Sequence, residues 1–94
     1  AGDHFIYPDC RPDFLKSMDT AAGLCDPLKV SIKGPFINLN KGEIFKIGIG
    51  LGVDYLKTWT CYEGKEFPCG KCGSCVERLE AFADNQECDP INYQ

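Results

Sequence analysis

The chain has 94 residues, of which 44% are hydrophobic and 26% charged, and its net charge is −4. This length allows one domain, and the composition is typical of a globular protein and not of a disordered one. The acidic balance argues against a nucleic-acid-binding groove, which needs a basic face to neutralise phosphates. Because the sequence shows no signal peptide and no apolar run of about 18 residues, neither export nor membrane insertion is expected.

The first part of the chain is predicted to contain one helix and one strand. Pro12 is tolerated in a first helical turn, and apolar residues then recur at helical spacing until Gly23. This pattern predicts a helix over residues 12–23. Apolar and polar residues alternate from Leu28 to Lys33, and Gly34-Pro35 ends the alternation, which predicts a half-buried strand.

A second helix is predicted in the middle of the chain. Asn40, followed three residues later by Glu43, resembles a capping box. The helix should end near Gly52, and its apolar face should consist of Ile44, Ile47 and Leu51. Residues 53–61 are expected to be extended or irregular.

The last helix is predicted to begin beside a group of cysteines. Ser74 and Glu77 form an S-x-x-E pattern that is typical of a helix cap. Cys75 then falls in the first turn, where the helix dipole favours a thiolate. The expected apolar stripe of this helix consists of Val76, Leu79, Phe82 and Ala83.

Four cysteines have the spacing of a metal site: Cys61-x7-Cys69-x2-Cys72-x2-Cys75. Structural zinc takes four tetrahedral ligands at about 2.3 Å from each sulfur, and a C-x2-C turn brings two thiolates to one ion. A shell of four thiolates leaves no open coordination position. The sequence therefore predicts a zinc ion that stabilises the fold and takes no part in chemistry.

Three other interpretations of these four cysteines are open. Disulfides are disfavoured because the chain has 7 cysteines, which leaves an odd thiol. An iron–sulfur cluster also takes four cysteines, although with a different common spacing, and a metal-free C-x2-C pair would be redox-active.

The other three cysteines of the chain are Cys10, Cys25 and Cys88, and they are expected to be small buried apolar residues. Trp59 and Tyr62 are expected to shelter the metal. Free thiols with a zinc site indicate the cytoplasm.

Several segments resemble, in chain order, the C-terminal part of the 7-cyano-7-deazaguanine synthase family, also called QueC or ExsB. The resemblance covers essentially the whole chain, and the combination of segments is more specific than any one of them. The segments are Tyr7 to Phe14, Leu39 to Ile44, Leu51 to Tyr55, Thr58 to Tyr62, the knuckle from Cys69 to Cys75, and Asp89-Pro90.

The resemblance implies an α/β fold, namely the C-terminal part of the PP-loop (adenine nucleotide alpha hydrolase-like) fold, helix-rich here, with a four-cysteine zinc knuckle. It implies that residues 1–94 form a single unit of an ATP-dependent ligase. This family converts 7-carboxy-7-deazaguanine and ammonia to 7-cyano-7-deazaguanine (preQ0), a precursor of queuosine in tRNA. The carboxylate is adenylated, ammonia displaces AMP, and a second activation dehydrates the amide. The resemblance also allows a homodimer, with no direct contact to nucleic acid or membrane.

The chain also departs from the family pattern. Family members begin with a strand and an SGGxDS loop that holds the ATP phosphates, and the 94 residues contain no such loop. The chain starts at Ala1 without an initiator methionine, and we expect it to be the last two-fifths or so of a longer protein, without the ATP-binding half. The chain alone should be inactive. The alternative is a non-catalytic zinc-binding interaction module derived from the same fold.

Asp9 and Arg11 are the candidate substrate contacts within the segment that matches the family. A carboxylate accepts well from the two N–H donors of a guanine-like edge, and a planar guanidinium suits a substrate carboxylate. The competing interpretation is structural. Asp9 would then cap the following helix, and Arg11 would pair with a neighbouring carboxylate. No catalytic residue is assigned from the sequence.

Overall fold

The computed structural model describes residues 2–94, and the described residues contain helices but no strand. Within residues 2–94 there are three α-helices: α1 is Pro12–Cys25, α2 is Lys41–Gly50 and α3 is Gly73–Asp84. The same described residues contain three short 3-10 helices, Gly2–Phe5, Pro8–Cys10 and Tyr55–Lys57. The chain divides into two compact units, Ala1–Asn40 and Lys41–Gln94. None of the described helices is long and apolar enough to cross a membrane.

The first unit is built around α1. The predicted helix over residues 12–23 is confirmed, and it continues past Gly23 to Cys25. The segment after the helix folds back on it at Gly34, where an added Cβ would lie 2.6 Å from Leu15 Cδ2. The ring Nε2 of His4 lies 2.8 Å from the carbonyl oxygen of Ile37, which ties the start of the chain to the end of this segment.

The predicted strand over residues 28–33 is wrong. A side-chain oxygen of Asp26 accepts a hydrogen bond from the Leu28 N–H at 2.7 Å, and Lys29 follows in the left-handed region with φ 52°. This turn replaces the start of the strand. The Ile32 N–H donates to Asp19 Oδ1 of α1 at 2.8 Å instead of to a neighbouring strand. The alternation of apolar and polar residues therefore reflects an irregular segment that is fastened to a helix.

An aromatic cluster forms the core of the second unit. Helix α2 packs against α3, and the ring centroids of Phe45 and Phe82 are 4.2 Å apart. The Tyr55 ring lies 4.6 Å from Phe45 and 5.5 Å from Phe82, and its hydroxyl donates to the Phe45 carbonyl at 3.1 Å. Gly48 is buried directly beneath this hydroxyl. The two are so close that a Cβ added at Gly48 would lie 1.9 Å from Tyr55 Oη. The predicted irregular segment 53–61 thus contains one helical turn that delivers Tyr55 to the core.

The predicted apolar faces of α2 and α3 are largely wrong. Helix α2 ends at Gly50, and Gly52 follows with φ 77°, close to the expected end. However, α2 buries Phe45 and Gly48, whereas Ile47 and Leu51 of the expected face are exposed. Helix α3 likewise exposes three members of its expected stripe, and only Phe82 is buried; the exposed residues are Val76, Leu79 and Ala83.

Candidate metal centre

Four cysteine sulfurs meet in the second unit. The Sγ atoms of Cys61, Cys69, Cys72 and Cys75 all lie within 4.8 Å of one another. Cys69 and Cys75 have their sulfurs 4.0 Å apart, far beyond the length of an S–S bond, and all four residues are free thiols. A tetrahedron of sulfurs at about 2.3 Å from a zinc ion has edges of about 3.8 Å. The four thiols therefore fit one tetrahedral ion.

Backbone amides point at the sulfurs from the loops around them. Cys61 Sγ accepts from the N–H groups of Glu63 and Cys69 at 3.5 and 3.4 Å. Cys69 Sγ accepts from Lys71 and Cys72 at 3.3 and 3.2 Å. Donors of this kind stabilise negative charge on sulfur, as a thiolate ligand requires. The loop conformation thus stabilises the thiolate forms that would bind a metal ion.

The environments of the four thiols differ. Hydrogen bonds from the backbone N–H groups of Tyr62 and Cys75 lower the pKa of Cys72 to about 6. Amides of the surrounding loops also lower the pKa of Cys61. Burial raises the pKa of Cys75 to about 12, because this side chain is completely shielded from solvent. A cation in the centre of the cluster would offset the charge of the thiolates, which is a further reason that the cluster suits a metal ion.

The cysteines also set the start of α3, and the predicted S-x-x-E cap is wrong. The N-cap residue is Cys72, whose sulfur accepts from the Cys75 N–H at 3.5 Å. Ser74 lies inside the first turn and donates its hydroxyl to the Thr60 carbonyl at 2.7 Å. Glu77 pairs with Lys41 of α2. Cys75 lies in the first turn as predicted, so the helix begins at the candidate metal ligands themselves.

Trp59 and Tyr62 do not cover the cluster as expected. The Trp59 indole N–H donates to the Cys61 carbonyl at 2.8 Å, but its side chain is 46% exposed. Tyr62 is 77% exposed. The aromatic residue that packs against the four cysteines is Tyr93, near the other end of this unit. The sequence reasoning missed this residue because it lies 18 positions after the last cysteine of the motif.

A buried ion pair adjoins the cluster, and this pair was not predicted from the sequence. Arg78 Nε and Nη2 donate to the two carboxylate oxygens of Asp89 at 2.5 and 3.0 Å. The Tyr93 hydroxyl donates to Asp89 Oδ2 at 2.5 Å. Burial would raise the pKa of Asp89, but hydrogen bonds from Arg78 and Tyr93 hold it below its ordinary value. Arg78 Nη1 also donates to Thr58 Oγ1 at 2.8 Å, which connects this pair to the segment before Cys61.

The other three cysteines are not the buried residues that the sequence predicted. Cys25 and Cys88 are exposed, and Cys10 is half-buried. Cys25 ends α1, a helix with no buried residue, and Cys88 lies in the loop after α3. Small size and apolar character therefore do not by themselves lead to burial at these positions.

Asp9 and Arg11 lie in the first unit, at the entry to α1, and both are exposed. Asp9 belongs to the 3-10 helix Pro8–Cys10. The N-cap of α1 is Arg11, with no side-chain hydrogen bond to the helix, so the interpretation of Asp9 as its cap is wrong. Arg11 Nε donates to the His4 carbonyl at 2.7 Å. This bond holds the Arg11 side chain against the start of the chain, and the substrate interpretation of Asp9 and Arg11 stays a prediction.

Comparison with known proteins identifies the family. The profile of the family described as "Queuosine biosynthesis protein QueC" matches residues 1–86. The chain belongs to this family. A 7-cyano-7-deazaguanine synthase of Methanoregula boonei is 57% identical over 94 residues, which cover 100% of this chain and 43% of the relative. The synthase of Psychromonas ingrahamii is also 57% identical over 94 residues, or 100% of this chain and 42% of that protein.

A third relative extends the likeness. 7-Cyano-7-deazaguanine synthase 2 of Colwellia psychrerythraea is 56% identical over 93 residues, which are 99% of this chain and 42% of the relative. The chain therefore spans a little over two-fifths of the length of these relatives. The resemblance inferred from the sequence segments is confirmed at the level of the family.

Proposed function

We propose that the chain is the C-terminal, zinc-binding part of an ATP-dependent ligase that converts 7-carboxy-7-deazaguanine and ammonia to 7-cyano-7-deazaguanine in the cytoplasm. The observation that carries this proposal is the 57% identity over all 94 residues with proteins named as synthases of that compound. An alignment that covers the whole chain is expected if the whole chain serves the same role in these proteins. The product is the queuosine precursor preQ0, in keeping with the family description.

The zinc ion is proposed from the chemistry of the ligand set. The sulfurs of Cys61, Cys69, Cys72 and Cys75 lie close enough together for one ion, and backbone amides point at them. Four thiolates favour zinc among the common cellular divalent ions, and they close its coordination shell. The ion would hold α3 against the loop before it, and it would contribute no reacting group.

The reaction requires activation of a carboxylate. Ammonia does not displace an oxygen from a free carboxylate, whereas an acyl-adenylate has AMP as a good leaving group. Within this chain, we assign substrate binding to Asp9 and Arg11. The carboxylate of Asp9 would accept from the N–H groups of the deazaguanine edge, and the Nη groups of Arg11 would meet the substrate carboxylate. The bond from Arg11 Nε to His4 would hold the guanidinium in place.

ATP is assigned to the part of the ligase that these residues do not supply. The SGGxDS pattern of the superfamily is not found in the 94 residues. Helix N-termini preceded by a glycine-rich loop are the usual phosphate sites. We therefore expect calorimetry with the isolated 94-residue chain to detect no ATP binding. Micromolar affinity would place a phosphate site in this chain and would contradict the assignment.

A chimeric enzyme tests the proposal. The last 43% of the Methanoregula boonei synthase is replaced by this chain, and product formation from 7-carboxy-7-deazaguanine, ammonia and ATP is followed by chromatography. We expect the chimera to form the nitrile, and the Asp9→Ala and Arg11→Ala versions to lose most turnover without losing thermal stability. Lys57→Ala, a change at an exposed lysine of the 3-10 helix, is the control and should leave turnover unchanged.

Two outcomes would overturn parts of this proposal. A folded, zinc-containing chimera that forms no nitrile, beside an active parent enzyme, would favour the non-catalytic zinc-binding module. Full turnover in both the Asp9→Ala and the Arg11→Ala chimeras would remove these residues from the substrate site while leaving the reaction in place.

A further inference from the structure

The segment 89–94 lies against the four cysteines. Tyr93 packs on the cluster formed by Cys61, Cys69 and Cys75. Its ring also contacts the knuckle at Gly70, where an added Cβ would lie 3.3 Å from Tyr93 Cδ1. Gly70 has φ 72°, a conformation that glycine adopts without strain, and its lack of a side chain lets the tyrosine ring approach. The ring thus occupies one side of the cluster.

This segment is fastened at both ends. At its start, Asp89 is held by Arg78 of α3, and the two side chains are only 2% and 6% exposed. At its end, the Gln94 N–H donates to the Pro68 carbonyl at 2.9 Å, and Gln94 Nε2 donates to the Phe67 carbonyl at 2.9 Å. Pro68 directly precedes Cys69. The segment is therefore attached to α3, which carries Cys75, and to the loop that leads into Cys69.

The open side of the cluster is bounded by the same segment. A cleft of about 530 Å³ reaches Cys69 and Cys72, and Gln94 forms part of its wall. The Tyr93 hydroxyl donates to Asp89 at 2.5 Å, so the ring is fixed from within the segment as well. Displacement of the segment would expose sulfurs that are now covered.

We propose that segment 89–94 is a cover that controls metal exchange at the four cysteines. Tyr93 excludes water and competing ligands from the side of the cluster on which its ring packs, and the Arg78–Asp89 pair holds the cover in place. This inference rests on the proposed zinc centre. A chelator that removes zinc from the folded unit must approach the ion or its sulfurs in the closed four-coordinate site, so a bulky ring on that path slows this route of removal. Tyr93, Asp89 and Arg78 are positioning residues and not ligands.

Zinc release from the intact protein tests the cover. The zinc content of each variant is first measured by elemental analysis, and transfer of zinc to excess 4-(2-pyridylazo)resorcinol is then followed by absorbance. We expect Tyr93→Ala to keep its zinc but to release it at least about tenfold faster, in line with the usual effect of residues around metal ligands. Tyr93→Phe keeps the ring and loses the bond to Asp89, so its release should be faster than in the unaltered protein but slower than in Tyr93→Ala.

Tyr62→Ala is the matched control. This tyrosine adjoins Cys61 in sequence but is 77% exposed, so its removal should leave the release rate unchanged. Dependence on chelator concentration separates a cover from general stability: release from Tyr93→Ala should rise with chelator concentration, whereas release limited by unfolding of the unit would not.

Each result bears on a different claim. Absence of zinc from the unaltered protein would refute the zinc centre and the cover together. Zinc that is present but released at equal rates from the unaltered protein and from Tyr93→Phe and Tyr93→Ala would refute the cover alone. Equal acceleration by Tyr62→Ala would also refute it. If Tyr93→Ala cannot hold zinc, the rate of Tyr93→Phe decides.

Discussion

Replacing Arg78 by alanine should destabilise the second unit by about 3 to 5 kcal/mol, the usual cost of removing one partner of a buried ion pair. Arg78 makes four hydrogen bonds, two to the Asp89 carboxylate and one each to Thr58 and Tyr55. Its guanidinium also lies 5.4 Å from the centre of the Phe82 ring. Alanine would leave the carboxylate of Asp89 buried with only Tyr93 and one backbone N–H to stabilise its charge.

The pKa values of Arg78 and Asp89 are shifted in the directions that a stabilising ion pair produces. Burial would lower the pKa of Arg78, but hydrogen bonds from its guanidinium to Asp89 raise it. The pKa of Asp89 is lowered by the same contact. A carboxyl group whose pKa is lowered by folding stabilises the folded state at pH values above its unfolded pKa of about 4, and loses that effect as the pH falls through its folded value. The effect of Arg78→Ala should therefore be full at neutral pH.

The assay is urea unfolding of the zinc-loaded protein, followed by the fluorescence of Trp59. This is the only tryptophan of the chain and donates to Cys61, so it reports on the second unit. Urea unfolding gives the loss of free energy directly; in a parallel thermal scan, a loss of 3 kcal/mol corresponds to a fall in melting temperature of more than about 10 °C for a unit of this size. Arg78→Lys keeps the charge but cannot make the two-point contact to Asp89, and its loss should be intermediate.

Lys41→Met provides the matched control. This change also removes a cation that pairs with a carboxylate, that of Glu77, but the two side chains are 47% and 38% exposed, far more than those of Arg78 and Asp89. Exposed pairs contribute about 0 to 1 kcal/mol. If Arg78→Ala costs no more than Lys41→Met, the buried pair is not a principal stabiliser of the second unit, and the anchoring of segment 89–94 to α3 loses its basis.

Two further predictions concern packing and pH. Gly48→Ala should cost about 1 to 3 kcal/mol because its Cβ would lie 1.9 Å from Tyr55 Oη; an unchanged melting temperature would show that the aromatic cluster adapts freely. At pH 7.5 zinc binding should release at least one proton, from Cys75 with its pKa of about 12, but fewer than four, because Cys72 with its pKa of about 6 has already lost its proton. Below about pH 6 Cys72 is protonated as well, so zinc affinity should fall more steeply with decreasing pH. Calorimetry in two buffers of different ionisation enthalpy counts these protons, and a release of four at pH 7.5 would mean that the thiols titrate as in an unfolded chain.

The sequence predicted the cluster of four cysteines and α1 because local spacing determines both. A C-x2-C-x2-C run can place its sulfurs together only in a tight turn, and the glycine after Cys69 supplies the left-handed residue of that turn. Helix α1 combines a proline at its start with helical periodicity. Its end was not predicted, because the helix continues past Gly23 to Cys25.

The helix faces and the strand could not be predicted because they depend on contacts distant in the sequence. Helix α2 is apolar on most sides, so periodicity alone could not distinguish Phe45, which packs on Phe82, from Ile47, which is exposed. A strand at residues 28–33 would require a neighbouring strand as its hydrogen-bond partner. The Ile32 N–H instead donates to the Asp19 carboxylate of α1. Tyr93 contacts the cysteines through the fold of segment 89–94, which no local pattern indicates.

We infer that four thiolates of this chain hold one zinc ion in a closed tetrahedral site. Zinc X-ray absorption on freshly prepared protein, combined with elemental analysis, tests it most directly. We predict one zinc per chain with four sulfur ligands at about 2.3 Å and no nitrogen or oxygen ligand. Less than about half an equivalent of zinc, a light-atom ligand in its shell, or disulfides among Cys61, Cys69, Cys72 and Cys75 by mass spectrometry would contradict the claim.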